Sequence, residues 1–353
     1  MKDANLIIGK KNTGKTRNIL FNEVKNAINN NENLCIFNSR DEYYRTFSKN
    51  LKESGYNVLT LNLSDATKSN GYNPLLVPYL LCKEGNLDLS VTIVNNLALE
   101  IFKEDNLNID PFWANMASNY FTGLVSILFK EAKLEEINLG SIQVMMGQGE
   151  EKIGETTYLK KYLENVDVTD TIYTLLSPIV FAPPETKGSI ISVAKQKLNL
   201  YMLREQLLNL LCTNEINLKD LNNKTAIFII GKNGINDIAN IFINQLVETS
   251  NTFTYIFDNF DELRKLMCFE DLIKNASYTG DRVYVAVHNE EQLKEKYGKY
   301  IIDNFEVIID MSTEQKNVTT PYAIEELGND FEYPMLTMNK HSYMNFKSII
   351  DER

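Results

Sequence analysis

The eight residues GKKNTGKT, Gly9 to Thr16, follow the apolar run Leu6-Ile7-Ile8 near the start of the chain and restrict its fold more than any other stretch. The spacing Gly9-x-x-x-x-Gly14-Lys15-Thr16 is the P-loop pattern. Its glycines let backbone N–H groups curl around phosphate oxygens, while the following helix points its N-terminus at them. A buried strand must precede the loop and a helix must follow it, and Ile19, Leu20, Val24, Ala27 and Ile28 recur at helical spacing. Gly9, Asn12, Thr13, Gly14, Lys15, Thr16 and Arg17 are therefore the expected nucleotide contacts. Lys15 would reach the β- and γ-phosphates, and the Thr16 hydroxyl would complete the shell of a Mg²⁺ bound with ATP.

Six further short apolar runs read as buried parallel strands: Leu34 to Phe37, Val58 to Leu61, Ala226 to Ile230, Thr254 to Phe257, Val283 to Val287 and Val307 to Ile309. Helical patterns separate most of them, which predicts an α/β fold with a mainly parallel, doubly wound sheet and ligands at the carboxyl ends of its strands. Between about Pro78 and Leu211 strand signals fade. Val91 to Phe102, Trp113 to Phe129 and Ile190 to Leu211 read as long helices, with a loop around Gly147 to Glu155. The expected organisation is a nucleotide-binding domain over 1–77 and 212–353, interrupted by an all-α domain over 78–211. From Ser312 onward, through Thr319-Thr320-Pro321 and Tyr333-Pro334, periodicity is weak and an irregular tail packed on the sheet is expected.

Other chemistries find little footing. Cys35, Cys82, Cys212 and Cys268 have no CxxC spacing, and the only histidines are His288 and His341, which argues against a zinc site or a Ser/Cys–His triad. Cys35 and Cys82 lie among apolar residues, as small core groups do. The net charge of −11 excludes a broad nonspecific nucleic-acid surface but leaves room for a local basic path, for which Lys10, Lys11, Lys195, Lys197 and Arg204 are candidates beside a reading as solvated faces. No apolar run approaches the ~20 residues that span a bilayer, so the expectation is a cytoplasmic protein without direct membrane insertion.

ATP hydrolysis by a P-loop protein needs a second acidic site on a nearby strand. Thr254 to Phe257 ends at Asp258, which can serve the metal or, alternatively, cap a helix. The next residue is Asn259, and an amide cannot take a proton from water at neutral pH. The Asp261-Glu262 pair offers an alternative register that fits poorly, since no uninterrupted apolar strand precedes it, and Glu262 from the following loop or helix is a substitute. His288, at the end of Arg282 to Val287, can sense a γ-phosphate by hydrogen bonding, or simply occupy a strand-end loop.

After the P-loop come Asn38-Ser39-Arg40-Asp41-Glu42, Ser54-Gly55-Tyr56-Asn57 and Ser69-Asn70-Gly71-Tyr72-Asn73-Pro74. They are followed by Asp110-Pro111-Phe112-Trp113, Pro184 to Ser189, Phe242 to Leu246, the Asp258 strand and Glu291 to Gly298. This succession resembles the conjugative coupling proteins of type IV secretion systems, the TraG/TraD type. The resemblance covers Leu6 to about Asp310 and rests on order and spacing more than on any single motif. It implies a RecA-like P-loop domain with an inserted all-α domain, hexameric rings, DNA binding, and ATP-driven delivery of a DNA–relaxase complex to a membrane channel.

The departures are specific. The family's membrane-spanning helices are not seen before the first strand, so recruitment to a membrane complex would need a partner. Its Asp-Pro-Lys is here Asn38-Ser39-Arg40, its Asp-Glu is Asp258-Asn259, and its strand-end glutamine is His288. An arginine that it carries before that strand falls near Tyr278, with Arg282 as stand-in. With Lys15, Asp258 and His288 as the candidate catalytic groups and Thr16 and Asp258 as metal ligands, two readings follow: a coupling-type ATPase, or a nucleotide-binding regulatory module of the same machinery that does not hydrolyse.

Overall fold

Each of the seven apolar runs forms a strand in the computed structural model, which describes residues 3–103, 110–221, 223–231, 236–249, 251–311 and 331–352. The strands are β1 (Ala4–Ile8), β2 (Asn33–Asn38), β3 (Asn57–Asn62), β4 (Thr225–Ile230), β5 (Phe253–Phe257), β6 (Arg282–Val287) and β7 (Val307–Asp310). They form one sheet in the order β3-β4-β2-β5-β6-β1-β7, with every pair parallel. A parallel sheet is covered on both faces, which is why its strands read as continuous apolar runs.

The helices are α1 (Phe21–Asn29), α2 (Glu42–Glu53), α3 (Leu76–Lys83), α4 (Leu87–Phe102), α5 (Pro111–Glu131), α6 (Leu139–Gln148), α7 (Tyr158–Leu163), α8 (Thr171–Val180), α9 (Pro184–Met202), α10 (Glu205–Cys212), α11 (Asn236–Val247), α12 (Phe269–Thr279), α13 (Glu291–Tyr297) and α14 (Phe346–Asp351). Leu20, which ends the π-helical segment Lys15–Leu20 leading into α1, Val24 and Ala27 of α1, and Tyr43, Tyr44, Phe47 and Leu51 of α2 share a core with Ile7, Ile36, Phe228, Ile256 and Ala286 of the sheet. α12 packs on β1 and β6 through Leu272, Ile273 and Ala276, which lie outside that cluster.

The chain divides into two compact units, Met1–Asn70 with Leu218–Leu336, which holds the sheet, and Gly71–Asn217 with Thr337–Arg353, which is helical. In the helical unit α5 is the central element and packs on α4, α8 and α9. Its start is fixed by Asp110, whose side chain accepts from Phe112 N at 2.9 Å, with Pro111 in the first turn. Gly123 lets α8 approach closely: a Cβ there would lie 2.5 Å from the side chain of Leu176, which is fully buried.

Three expectations need correction. The domain boundaries had put 71–77, 212–217 and 337–353 with the sheet, yet these belong to the helical unit, where backbone bonds Tyr72 N→Leu210 O (2.9 Å) and Ile216 N→Gly71 O (2.8 Å) tie the first two together. The tail splits. Phe331 and Tyr333 pack against Tyr44 of α2, the two tyrosine rings stacked at 4.7 Å, whereas Thr337 accepts from Asn209 and Phe346 N donates to Gln148 Oε1 at 2.7 Å; Thr319-Thr320-Pro321 lies outside the described residues. The helix expected over Ile190 to Leu211 is two helices, α9 and α10, because the buried positions jump from Met202 to Leu207, and Leu203, at 81% exposure, has no core to face. Lys152–Ile153, inside the stretch expected as a loop, pairs with Thr156–Thr157 just beyond it in a short antiparallel ribbon. Cys35 is buried in β2, and Cys82 is half-buried.

Candidate nucleotide-binding site

Four neighbouring strands, β2, β5, β6 and β1, end at one cleft. Ile8 is level with Val287, and Phe37 with Phe257, so the residues that follow them, Gly9, His288, Asn38 and Asp258, emerge side by side. Backbone bonds Gly9 N→Val287 O (3.1 Å) and Asp258 N→Phe37 O (3.0 Å) extend the ladders into the loops. The cleft encloses about 510 Å³, within the range of small-molecule sites.

The P-loop forms one wall. Gly14 has φ 90°, a left-handed conformation that suits glycine, and Asn12 has φ 64°, which asparagine tolerates better than most residues. Gly14 caps the π-helical segment Lys15–Leu20 and brings no side chain to its first N–H groups, which leaves them available to an anion. Thr13 closes the loop through Oγ1→Lys10 O at 3.0 Å. Lys15 Nζ donates to the carbonyls of Gly9 and Lys10, the latter at 3.1 Å. Burial lowers the Lys15 pKa, opposed by the charges of Asp258 and Asp261. Arg17 lies at the rim, 3.6 Å from Glu42.

Asp258, only 2% exposed, faces the loop. Its Oδ2 accepts from Thr16 Oγ1 at 2.6 Å, Tyr43 OH at 3.1 Å and Asn38 Nδ2 at 3.3 Å. Burial raises its pKa; the Thr16 and Tyr43 hydrogen bonds, the Lys15 charge and the Asn259 N–H oppose that without cancelling it. Tyr43 is fully buried and its phenol is held protonated, first by burial and then by the carboxylate beside it. Thr16 and Asp258 thus present two hard oxygen ligands next to the phosphate loop. That donor set fits Mg²⁺, which keeps waters and phosphate oxygens as its other ligands. Among the described residues no group of three or more His, Cys, Asp or Glu side chains could hold a metal by itself.

The remaining candidates fall as follows. Asn259 has φ 58°, and its amide donates to Ser39 Oγ at 3.2 Å. His288 lines the cleft with its Nδ1 2.6 Å from Asp261 Oδ2, just past the end of β6, which lies between β1 and β5. Glu262 also lines the cleft. Arg282 does not: it begins β6, at the amino end of the sheet, where it pairs with Glu32. Tyr278 is 89% exposed at the end of α12. Of the basic candidates, Lys10 and Lys11 line the cleft, while Lys195, Lys197 and Arg204 belong to the helical unit, where Lys197 Nζ caps the Lys103 carbonyl at 3.0 Å. Asn38 and Tyr43 meet Asp258 in a way the sequence does not announce. Only the pairing of β2 with β5 reveals them, since they are distant from Asp258 in sequence.

A parallel sheet with a P-loop at its carboxyl edge and a separate helical unit defines the class: a RecA-like P-loop fold with an all-α part. Residues 6–330 match the family described as type IV secretory system conjugative DNA transfer, and the chain belongs to that family. Among solved structures it is similar to the plasmid coupling protein TrwB in complex with ADP and Mg²⁺, at 13% identity and TM-score 0.58, over 86% of this chain and 69% of that one. TrwB in complex with the non-hydrolysable ATP analogue ADPNP matches at 14% identity and TM-score 0.55, over 86% and 69%. A sulphate complex of the bacterial conjugative coupling protein TrwBdeltaN70 matches at 13% and 0.58, over 87% and 70%. At these identities the likeness is one of fold. No curated protein sequence matches the chain.

Proposed function

We propose that this chain binds ATP with Mg²⁺ in the cleft and hydrolyses it in the service of conjugative DNA transfer. The observation that carries this reading is the 2.6 Å approach of Thr16 Oγ1 to Asp258 Oδ2 beside Lys15, across two strands far apart in sequence. The P-loop N–H groups and Lys15 would bind and orient the phosphates. Thr16 and Asp258 would hold the metal, which neutralises charge developing on the transferred phosphoryl group. His288, fixed by Asp261, would report the γ-phosphate through its other ring nitrogen. DNA, a relaxase and further copies of this chain in a ring are the partners that family membership favours. The reading places the nucleotide in the sheet unit and partner contacts on the helical one. Among the described residues no helix is long and apolar enough to cross a membrane, and a cytoplasmic location belongs to the proposal.

A second reading, a nucleotide-switched module without turnover, is favoured by Asn259, whose amide is engaged by Ser39 where a base would stand. Phosphate release measured with and without DNA separates the two. DNA-stimulated turnover, with DNA binding that weakens steeply with salt, supports the ATPase. Tight nucleotide binding with no phosphate release at any DNA concentration supports the module.

The raised Asp258 pKa sets a pH dependence. Between the ordinary aspartate value and the raised folded value, the folded state holds more protons than the unfolded one, so the contribution of Asp258 to apo stability falls as pH rises through that window. Mg²⁺ binds the carboxylate form. The rise in Tm produced by Mg·ADP is therefore expected to grow with pH through the same window in the wild type, and to stay flat in Asp258→Asn, as followed by thermal unfolding in matched buffers.

A further inference from the structure

Among the described residues three acids line the cleft: Glu42, Asp258 and Glu262. Glu262 closes the single 3₁₀ turn Phe260–Glu262, which is fixed from several sides. Asn259 turns the chain at φ 58° and ψ 46°, and its carbonyl accepts from Glu262 N at 2.9 Å. Phe260, 1% exposed, packs on Phe269 with centroids 4.4 Å apart. Asp261 Oδ2 meets His288 Nδ1, and Lys296 Nζ donates to the carbonyls of Asp261 (2.7 Å) and Leu263 (2.6 Å), so both neighbours of Glu262 are anchored to other elements.

We infer that Glu262 supplies the carboxylate that orients the attacking water, in place of a glutamate directly after Asp258. The reason for the displacement lies in the backbone: position 259 is left-handed, which asparagine tolerates and glutamate resists. In the step, the water oxygen forms a bond to the γ-phosphorus and the bond from that phosphorus to the bridging oxygen breaks. Its electron pair leaves on the β-phosphate of ADP. Glu262 accepts the water proton, which then passes to the phosphate or to solvent, giving ADP, inorganic phosphate and the proton that hydrolysis releases.

The inference rests on the cleft being an ATP site, and its test keeps the two apart. In the full chain, Glu262→Gln is expected to bind Mg·ATP within about 2-fold of the wild type while kcat falls ~10²-fold or more, and Glu262→Asp is expected to keep an intermediate kcat at the same affinity. A merely structural role for Glu262 would instead lower affinity and Tm together, and would overturn the inference. So would an E262Q variant that turns over at the wild-type rate, or a wild type that binds Mg·ATP without releasing phosphate; in both cases the ATP-site reading stands. Failure of the wild type to bind Mg·ATP removes that reading, and the inference with it.

Discussion

Lys15→Ala is expected to lower the affinity for Mg·ATP by ~10²-fold or more and to abolish phosphate release. Lys15 is the one cation in the P-loop whose ammonium is buried within the loop itself, held by the carbonyls of Gly9 and Lys10. A hydrogen bond to a charged group is worth roughly 1.5–3 kcal/mol, and Lys15 can offer more than one to a triphosphate. The fold should survive the change. The groups that lose a donor are two carbonyls of the loop that borders the cleft, and the desolvation that depresses the Lys15 pKa disappears with the charge. Equilibrium binding by fluorescent nucleotide and the unfolding midpoint, measured on the same preparation, check both halves: a large loss of affinity with little change in the midpoint.

Asp258→Asn is expected to act on the metal alone. The amide keeps the shape of the carboxylate and an oxygen for Thr16 and Tyr43, but it carries no charge to hold a divalent cation. Nucleotide affinity in the presence of Mg²⁺ should fall to the value measured with chelator, and turnover should drop by about 10²–10³-fold, the usual cost of removing one charge-stabilising group. Binding by the variant that still tightens with Mg²⁺ as in the wild type would show that the metal is held elsewhere.

The lattice of strands was legible because a parallel sheet buries each strand on both faces, and Leu34 to Phe37 or Ala226 to Ile230 then stand out as unbroken apolar runs. The P-loop was legible because its chemistry is local, as was Asp258, at the end of such a run. What could not be read was who faces whom. That Tyr43 and Asn38 bind Asp258 follows from β2 lying next to β5, a non-consecutive pairing that no local signal encodes. Arg282 illustrates the same limit: its distance from the P-loop in sequence says nothing of the fact that it sits at the amino end of β6, paired with Glu32, while the cleft is at the carboxyl end. The tail escaped for another reason. Residues 337–345 make contacts through single side chains such as Asn209 and Ser141, and α14 buries only Phe346 and Ile350, one pair at helical spacing, which is too short a pattern for periodicity to find.

The departures from the coupling-protein pattern also gain a physical form. Ser39 and Asn259, two of the changed positions, hydrogen-bond to each other, and His288, a third, is joined to Asp261. Both pairs border the turn that carries Glu262. The P-loop pattern and Asp258 match the family's pattern, while the positions around them differ from it.

Calorimetric titration of the full chain with Mg·ADP, run beside Lys15→Ala, tests the central claim that this cleft is a Mg²⁺-nucleotide site. The account predicts a saturable isotherm for the wild type that weakens when Mg²⁺ is chelated and is lost in the variant. No saturable heat from the wild type, or a Lys15→Ala variant that binds as tightly as the wild type, would contradict it.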